Sequence, residues 1–278
     1  MRVHKITRSD IQPLEFEFPD FDSITTALPT GLYTTFRTYA GRTRVIGLQS
    51  HLDRLYLPAK ALGIAPAIRR VSAFREVLAE LLLPFDAPEA RIRLILDISA
   101  DPGTIYALLQ PLQILPVEIY ENGVHVEISR TSRQKPSLKQ TSFISESAFD
   151  RTRVGEELFE ILLTNKRRVL EGMTSNFFYV KEGEVCTAGR GVLIGVTRQT
   201  VLALAQMERI KTCIRALPLN EIPLIEEAFI TSSSRGIVPV VQIDAQQVAD
   251  GKVGGLTRKL MRLYEENVLS LAEEIVEA

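Results

Sequence analysis

The sequence predicts a mixed α/β and α+β fold in two unequal lobes. Strand-like and helix-like segments alternate through the first hundred residues, strand-like segments dominate after Val124, and Pro111, Pro116 and the Glu121-Asn122-Gly123 turn break the pattern between Gln110 and Val124. These set a smaller N-terminal α/β domain over 1–115, a connection over 116–123 and a larger C-terminal domain over 124–278. A chain of 278 residues can bury a sizeable core, and 45% hydrophobic with 24% charged residues is ordinary for a globular protein.

The elements follow in order. Glu15, Phe16, Glu17 and Phe18 alternate before Pro19 and predict an edge strand or an extended arm. LYTTFRTY from Leu32 to Tyr39 has strand content, Ala40-Gly41-Arg42 turns the chain, and TRVIGL returns it as a hairpin. Ser50 is placed to cap a helix starting at His51, with Leu52, Leu55 and Leu62 on its apolar face, Gly63 as its stop and Pro58 bending or interrupting it. A second helix, capped by Ser72, carries Phe74, Val77, Leu78 and Leu81. ARIRLILDIS and TIYALLQ then read as strands around Asp101-Pro102-Gly103.

The second half opens with the strand VHVEISR, a loop to Lys139 and a helical segment from Thr141 to about Arg153. ELFEILLTN pairs with RRVLEG, and NFFYV with EVCTA, each across a short turn. A helix follows from Thr197 to Met207, strands at Glu227–Thr231 and Pro239–Ile243, and a terminal helix over Leu256–Val276.

Several classes are disfavoured. A net charge of −1 argues against a generally nucleic-acid-binding surface. The first residues lack the apolar core of a signal peptide, and no apolar run approaches the roughly 20 residues that span a bilayer, so a cytoplasmic protein with no membrane partner is expected. Cys186 and Cys213 are then expected as free thiols, with buried filler their expected role, and His4, His51 and His125 show no metal-ligand spacing.

Four stretches carry the chemistry: HLDRLYLPAKALG at 51–63, RQKPSLKQTSF at 133–143, LEGMTSNFFYVKEGEVCTA at 170–188 and IGVTRQTVLALA at 194–205. Singly, each has an ordinary reading. Lys139 is a lysine after a Pro-containing turn, Glu171 a carboxylate at a turn, and Arg54 one charge on an amphipathic helix. IGVTR before an apolar helical run makes a sound anion site, because first-turn N–H groups and the helix dipole favour negative charge. In this order the four resemble the class IV, or fold type IV, family of pyridoxal-phosphate enzymes, which holds branched-chain aminotransferases, D-amino-acid aminotransferases and aminodeoxychorismate lyases. The resemblance runs from about Gly31 to Tyr264.

The resemblance implies a C-terminal lobe with a barrel-like sheet, pyridoxal 5'-phosphate as cofactor, a homodimer, and small-molecule amino acid and 2-oxo acid substrates. It implies that Lys139, counted with the C-terminal domain, forms the internal aldimine and shuttles the substrate's α-proton, work that needs an amine able to lose its proton. Glu171 matches the anion beside the ring nitrogen, and Asn176 buttresses it. Arg54 matches the phosphate-binding arginine, Val196 and Thr197 would donate backbone N–H groups with the Thr197 hydroxyl as cap, and Ser233 falls at a phosphate-contacting position. Arg37, Arg93 and Arg235 are candidates for the substrate carboxylate, whose geometry a guanidinium fork matches, with Tyr33 and Ser234 as further substrate contacts.

The chain departs from the family at three points: Pro58 replaces a small residue, Tyr33-Thr34 replaces Phe-Glu, and Phe143 stands where branched-chain aminotransferases tend to place a Tyr. The expected activity is transamination, with branched-chain amino acids as a candidate substrate. The alternative is aminodeoxychorismate lyase, eliminating pyruvate to give 4-aminobenzoate; D-amino-acid transamination follows. A noncatalytic relative would not need Lys139, Glu171 and Arg54 together.

Overall fold

The computed structural model describes residues 1–18, 20–129, 139–155 and 158–275. The first half carries β1 (Arg2–Ile6), β2 (Ile11–Leu14), α1 (Phe21–Ala27), β3 (Gly31–Tyr39), β4 (Arg44–Val45), α2 (Leu48–Ala61), α3 (Val71–Leu82), β5 (Ala90–Asp97), β6 (Ile105–Pro111) and α4 (Val117–Asn122). The second half carries β7 (Val124–Ser129), α5 (Ser142–Glu146), α6 (Ala148–Arg153), β8 (Glu160–Asn165), β9 (Arg168–Gly172), β10 (Asn176–Lys181), β11 (Glu184–Thr187) and α7 (Val196–Met207). It continues with β12 (Thr212–Ile214), β13 (Leu217–Pro218), β14 (Glu227–Ser232), β15 (Gly236–Ile243), β16 (Gln246–Gln247), α8 (Gly255–Leu271) and β17 (Glu273–Glu274).

Packing divides the chain into two units. The first holds the described parts of Met1–Gln113, Leu138–Glu146 and Val268–Ala278; the second holds those of Ile114–Ser137 and Ser147–Asn267. The expected division at 1–115, 116–123 and 124–278 is thus corrected at one functional point, because Lys139 packs with the first unit. Backbone pairing is the reason: the Tyr33 N–H donates to the Lys139 carbonyl (2.8 Å) and the Thr141 N–H to the Gly31 carbonyl (2.9 Å), so this strip extends along β3. The approach to it over 133–138 lies outside the described residues.

The first unit is built on a seven-stranded sheet ordered β17-β4-β3-β5-β6-β1-β2. Leu52 and Leu55 of α2 and Phe74 and Leu78 of α3 pack on one face with Phe36, Leu94, Leu96 and Leu109. Phe21 and Ile24 of α1 pack on the other with Tyr33, Ile95 and Tyr106. Burying each such side chain stabilises by about 1.5–3 kcal/mol. With both faces covered, β5 is buried almost throughout and Arg93 has no wet face to occupy.

Several local expectations are corrected here. Glu15 to Phe18 form no strand; the edge strand is β2, just upstream, and α1 follows, capped by the Asp20 carboxylate. The TRVIGL strand shrinks to Arg44–Val45. α2 starts at Leu48 rather than His51, and its Leu48 N–H is capped by the Glu273 carboxylate of β17 (2.7 Å), so Ser50 sits inside the first turn. α3 starts at Val71 after Arg70, with no side-chain cap from Ser72. α2 continues through Pro58 to Ala61, and Gly63 follows with φ +73°. The terminal helix ends at Leu271 because Glu273 and Glu274 pair with β4; Val276 lies outside the described residues.

The second unit is built on a ten-stranded sheet in which β10, β14, β15, β7, β8 and β9 follow one another and β9 pairs back to β10. This closes a six-stranded barrel, as the resemblance implied. The closing pair is Glu171 opposite Asn176. Val126, Leu162, Val169, Phe177, Tyr179 and Ile230 belong to its apolar core. The expected helix from Thr141 divides into α5 and α6. Cys186 and Cys213 are not free thiols but a disulfide, because β11 and β12 pair in parallel with these two residues in register. The Glu184 carboxylate lies beside the two sulfurs, the one gathering of metal-type donors among the described residues. Among the described residues no helix is long and apolar enough to cross a membrane.

Candidate active site

In the first unit the chemistry-bearing side chains gather around the start of β3. Tyr33 is buried, and the Lys139 amine lies over its ring, 4.8 Å from the centroid. The ring quadrupole favours a cation at that point, and the Tyr33–Lys139 backbone bond ties the Lys139 backbone to β3. Thr34, next along β3, faces the opposite side of the sheet and meets α2. There its hydroxyl lies 2.7 Å from His51 Nδ1, and Arg54 Nη1 reaches the same oxygen at 3.5 Å. His51 and Arg54 share one helix face because they are three residues apart.

His51 is fully buried, and its Nε2 has no hydrogen-bond partner among the described residues. Burial, reinforced by the charges of Arg54 and Lys139, holds its pKa well below 6.5. The imidazole is therefore neutral at physiological pH and accepts or donates one fixed bond to Thr34.

In the second unit the barrel closure builds a polar cluster. Glu171 ends β9 and Asn176 begins β10, both buried. Glu171 Oε2 accepts from the Leu193 N–H at 2.9 Å and from the Asn176 amide at 3.5 Å, while that amide donates to the Leu193 carbonyl at 2.7 Å. Two side chains thus grip the segment that leads into α7. Gly195 is the N-cap, with no side-chain cap bond, so the expected cap by the Thr197 hydroxyl is corrected: Thr197 lies inside the first turn, buried with Val196. First-turn N–H groups of an α-helix have no partner within the helix and favour an anion.

Arg198, in the same turn, is buried and donates to the Ala188 carbonyl at 3.0 Å. Burial lowers its pKa and the Glu171 charge raises it. Sequence reading passed over it, although it stands in the quoted IGVTR motif.

The structure separates the three arginine candidates. Arg93 is buried and donates from Nε and Nη1 to Asp22 (2.7 Å), Thr25 (2.9 Å) and Thr35 (3.2 Å), all within the first unit. Arg37 is half-buried, with its guanidinium over the Tyr39 ring and Nε on the Thr38 carbonyl. Arg235 lies with Ser233 and Ser234 in the turn between β14 and β15, in the second unit. Its Nη2 meets Thr174 and Glu160 there, and neither of these was singled out in sequence.

A family model described as amino-transferase class IV matches residues 31–243. The chain belongs to the class IV aminotransferases. It is 29% identical over 264 residues to a Thermotoga maritima protein named "Probable branched-chain-amino-acid aminotransferase", covering 92% of this chain and 93% of the relative. Among solved structures, a branched-chain amino acid aminotransferase from T.th., determined with pyridoxamine 5'-phosphate, aligns with a TM-score of 0.79 at 19% identity, over 98% of both chains. The 4-amino-4-deoxychorismate lyase of Pseudomonas aeruginosa aligns with a TM-score of 0.71 at 25% identity, over 86% of this chain and 91% of its own. Class IV aminotransferases are pyridoxal-phosphate enzymes that act on amino acids and 2-oxo acids, and this enzyme has their fold type IV architecture.

Proposed function

We propose that this class IV aminotransferase transfers an amino group between a branched-chain amino acid and a 2-oxo acid, using pyridoxal 5'-phosphate, as a cytoplasmic homodimer. The observation that carries the substrate class is the likeness to the Thermotoga maritima relative over almost the whole chain. The donor set supports the cofactor. Glu171 offers a buried, oriented carboxylate, and the uncapped start of α7 offers backbone donors. At Gly195 an added Cβ would lie 2.1 Å from Asn176 Oδ1, so that cradle admits no side chain.

Pyridoxal 5'-phosphate, when bound, supplies the electron sink for chemistry at the amino acid's α-carbon. The chain's residues do the rest. Lys139 would supply the amine for the cofactor's aldehyde and the base for the α-proton, with the Tyr33 ring beside it. Glu171, oriented by Asn176 and the Leu193 N–H, would hold a proton on the ring nitrogen. In the second unit the first-turn N–H groups of Val196 and Thr197, with Ser233, would bind the phosphate, and the resemblance gives Arg54 of the first unit the same role. Arg235 binds the substrate carboxylate with Ser234, and Arg37 lines the substrate side.

The solved lyase favours one second reading, elimination of pyruvate from aminodeoxychorismate on the same residues. One experiment separates the two: the visible spectrum of the cofactor-loaded protein during mixing with L-leucine, L-glutamate, D-alanine or aminodeoxychorismate, with Lys139→Ala as control. Conversion of the cofactor band by L-leucine, absent in Lys139→Ala, supports the proposal. Release of pyruvate from aminodeoxychorismate with the band unmoved by amino acids supports the lyase.

A further inference from the structure

Glu160 stands at the start of β8, 1% exposed, in a place where an unpaired carboxylate is costly. Its Oε1 accepts from the Ile161 N–H at 3.0 Å. Its Oε2 accepts from the Thr174 N–H (3.2 Å), the Thr174 hydroxyl (2.5 Å), the Ser175 hydroxyl (3.1 Å) and Arg235 Nη2 (3.4 Å). A buried acid with this many donors is fixed, and whatever it holds is fixed too.

Arg235 is held on several sides at once. Its Nε donates to the Ser232 hydroxyl at 3.1 Å and its Nη2 to the Thr174 hydroxyl at 2.6 Å. Its guanidinium carbon lies 5.1 Å from the centroid of the Phe159 ring, and its backbone carbonyl accepts from the Tyr120 hydroxyl at 3.0 Å. The Thr174 hydroxyl donates to Glu160 and accepts from Arg235, so it links the acid to the base. Nη1 has no hydrogen-bond partner among the described residues.

We propose that Glu160 is a positioning residue for the substrate carboxylate: acting through Thr174, it locks Arg235 so that the Nη1 edge is the one arm offered to the incoming acid. This rests on the reading above that Arg235 binds that carboxylate. A long arginine in a turn loses much of its rotamer freedom on binding; pinned beforehand, it loses little, and the carboxylate meets a donor already aimed. Glu160 touches no reacting atom in this scheme. The arrangement also makes the arm single rather than forked, which favours substrates recognised by one short, directed contact.

The test uses the cofactor-loaded enzyme with L-leucine, L-glutamate and D-alanine, reading KM and kcat separately, for Glu160→Gln, Arg235→Ala, the double variant, Thr174→Val and Thr174→Ser. Arg235→Ala is expected to raise KM about 10- to 100-fold, the range of a charge-assisted hydrogen bond. Glu160→Gln is expected to raise KM about 10-fold with kcat within about 3-fold and an unchanged cofactor spectrum. The double variant should match Arg235→Ala within about 2-fold, because both changes break one path. Thr174→Val, which leaves Glu160 in place should Glu160→Gln fail to fold, is expected to repeat the KM rise, and Thr174→Ser to restore the wild-type value.

A double variant whose KM rises by the product of the single effects overturns the inference while leaving Arg235 as the carboxylate contact. An Arg235→Ala enzyme with unchanged KM overturns both the inference and that assignment, while transamination stands. A wild type inert to all three amino acids overturns the transaminase reading and this inference with it.

Discussion

Gly195→Ala is the substitution that most directly probes how the barrel closure prepares the start of α7. Gly195 has φ −70°, which any residue adopts, so the backbone raises no objection. The conflict is one of space. A Cβ there would lie 2.1 Å from Asn176 Oδ1, where ordinary contact begins at 3.4 Å. Asn176 must move by more than 1 Å, and its amide is tied to the Leu193 carbonyl at 2.7 Å and to Glu171 at 3.5 Å. Overpacking costs about 1–3 kcal/mol and a buried carbonyl robbed of its partner a similar amount; with partial relaxation we expect about 3 kcal/mol. That lowers the melting temperature by about 5 °C in a chain of this size. Displacing the first turn should also weaken pyridoxal phosphate binding by about 10- to 100-fold, since a tenfold change needs only about 1.4 kcal/mol. Calorimetric melting and a cofactor titration read the two effects. The decisive comparison repeats the substitution in an Asn176→Ala background. With the amide gone the methyl has room, and Gly195→Ala should turn neutral or stabilise by up to about 1 kcal/mol by restricting the unfolded chain. An equal cost in both backgrounds refutes the steric argument.

Three further outcomes follow from other parts of the molecule. Because His51 is held well below its ordinary pKa of 6.5, the unfolded chain binds a proton that the folded one refuses. Stability is therefore full above pH 6.5 and falls below it, with about 1 kcal/mol lost between pH 6.5 and 5.5; urea unfolding against pH should show this in the wild type and not in His51→Asn. Arg93→Ala removes three hydrogen bonds, to Asp22, Thr25 and Thr35, so it should cost about 2–3 kcal/mol while leaving the KM for amino acid unchanged in the folded fraction, a split that calorimetry and steady-state kinetics read together. Glu227 caps α8 by accepting from the Leu256 and Thr257 N–H groups (2.9 and 2.6 Å) and the Thr257 hydroxyl, and Glu227→Ala should lower stability by about 2 kcal/mol with early hydrogen exchange at Leu256 and Thr257.

What the sequence made legible was the set of residues that carry charge near a turn or a helix start; what it hid was the set that aims them. Glu171 and Asn176 were readable because a strand pair and a turn bring them together within five residues, and barrel closure then sets them opposite each other. Arg235 was readable as a distinctive arginine in a Ser-rich loop, but its holder Glu160 lies 75 residues upstream inside ELFEILLTN, where one acidic residue among apolar ones passes for the polar face of a strand. The caps fail for the same reason. Ser50 satisfies every local rule for an N-cap, yet Glu273 takes the position from more than two hundred residues away, and α2 begins three residues earlier in consequence. Lys139 was singled out by its neighbours in sequence and counted with the C-terminal domain, whereas it packs with the first unit, since the pairing of its carbonyl with the Tyr33 N–H leaves no periodic trace in the residues around either. The disulfide is the same case again: β11 and β12 are joined through α7, and only their parallel register sets Cys186 beside Cys213. Local chemistry therefore singles out candidate groups, while their orientation is a property of strand register and long-range carboxylates. Substitutions at those carboxylates should shift binding and stability before they shift the chemical step.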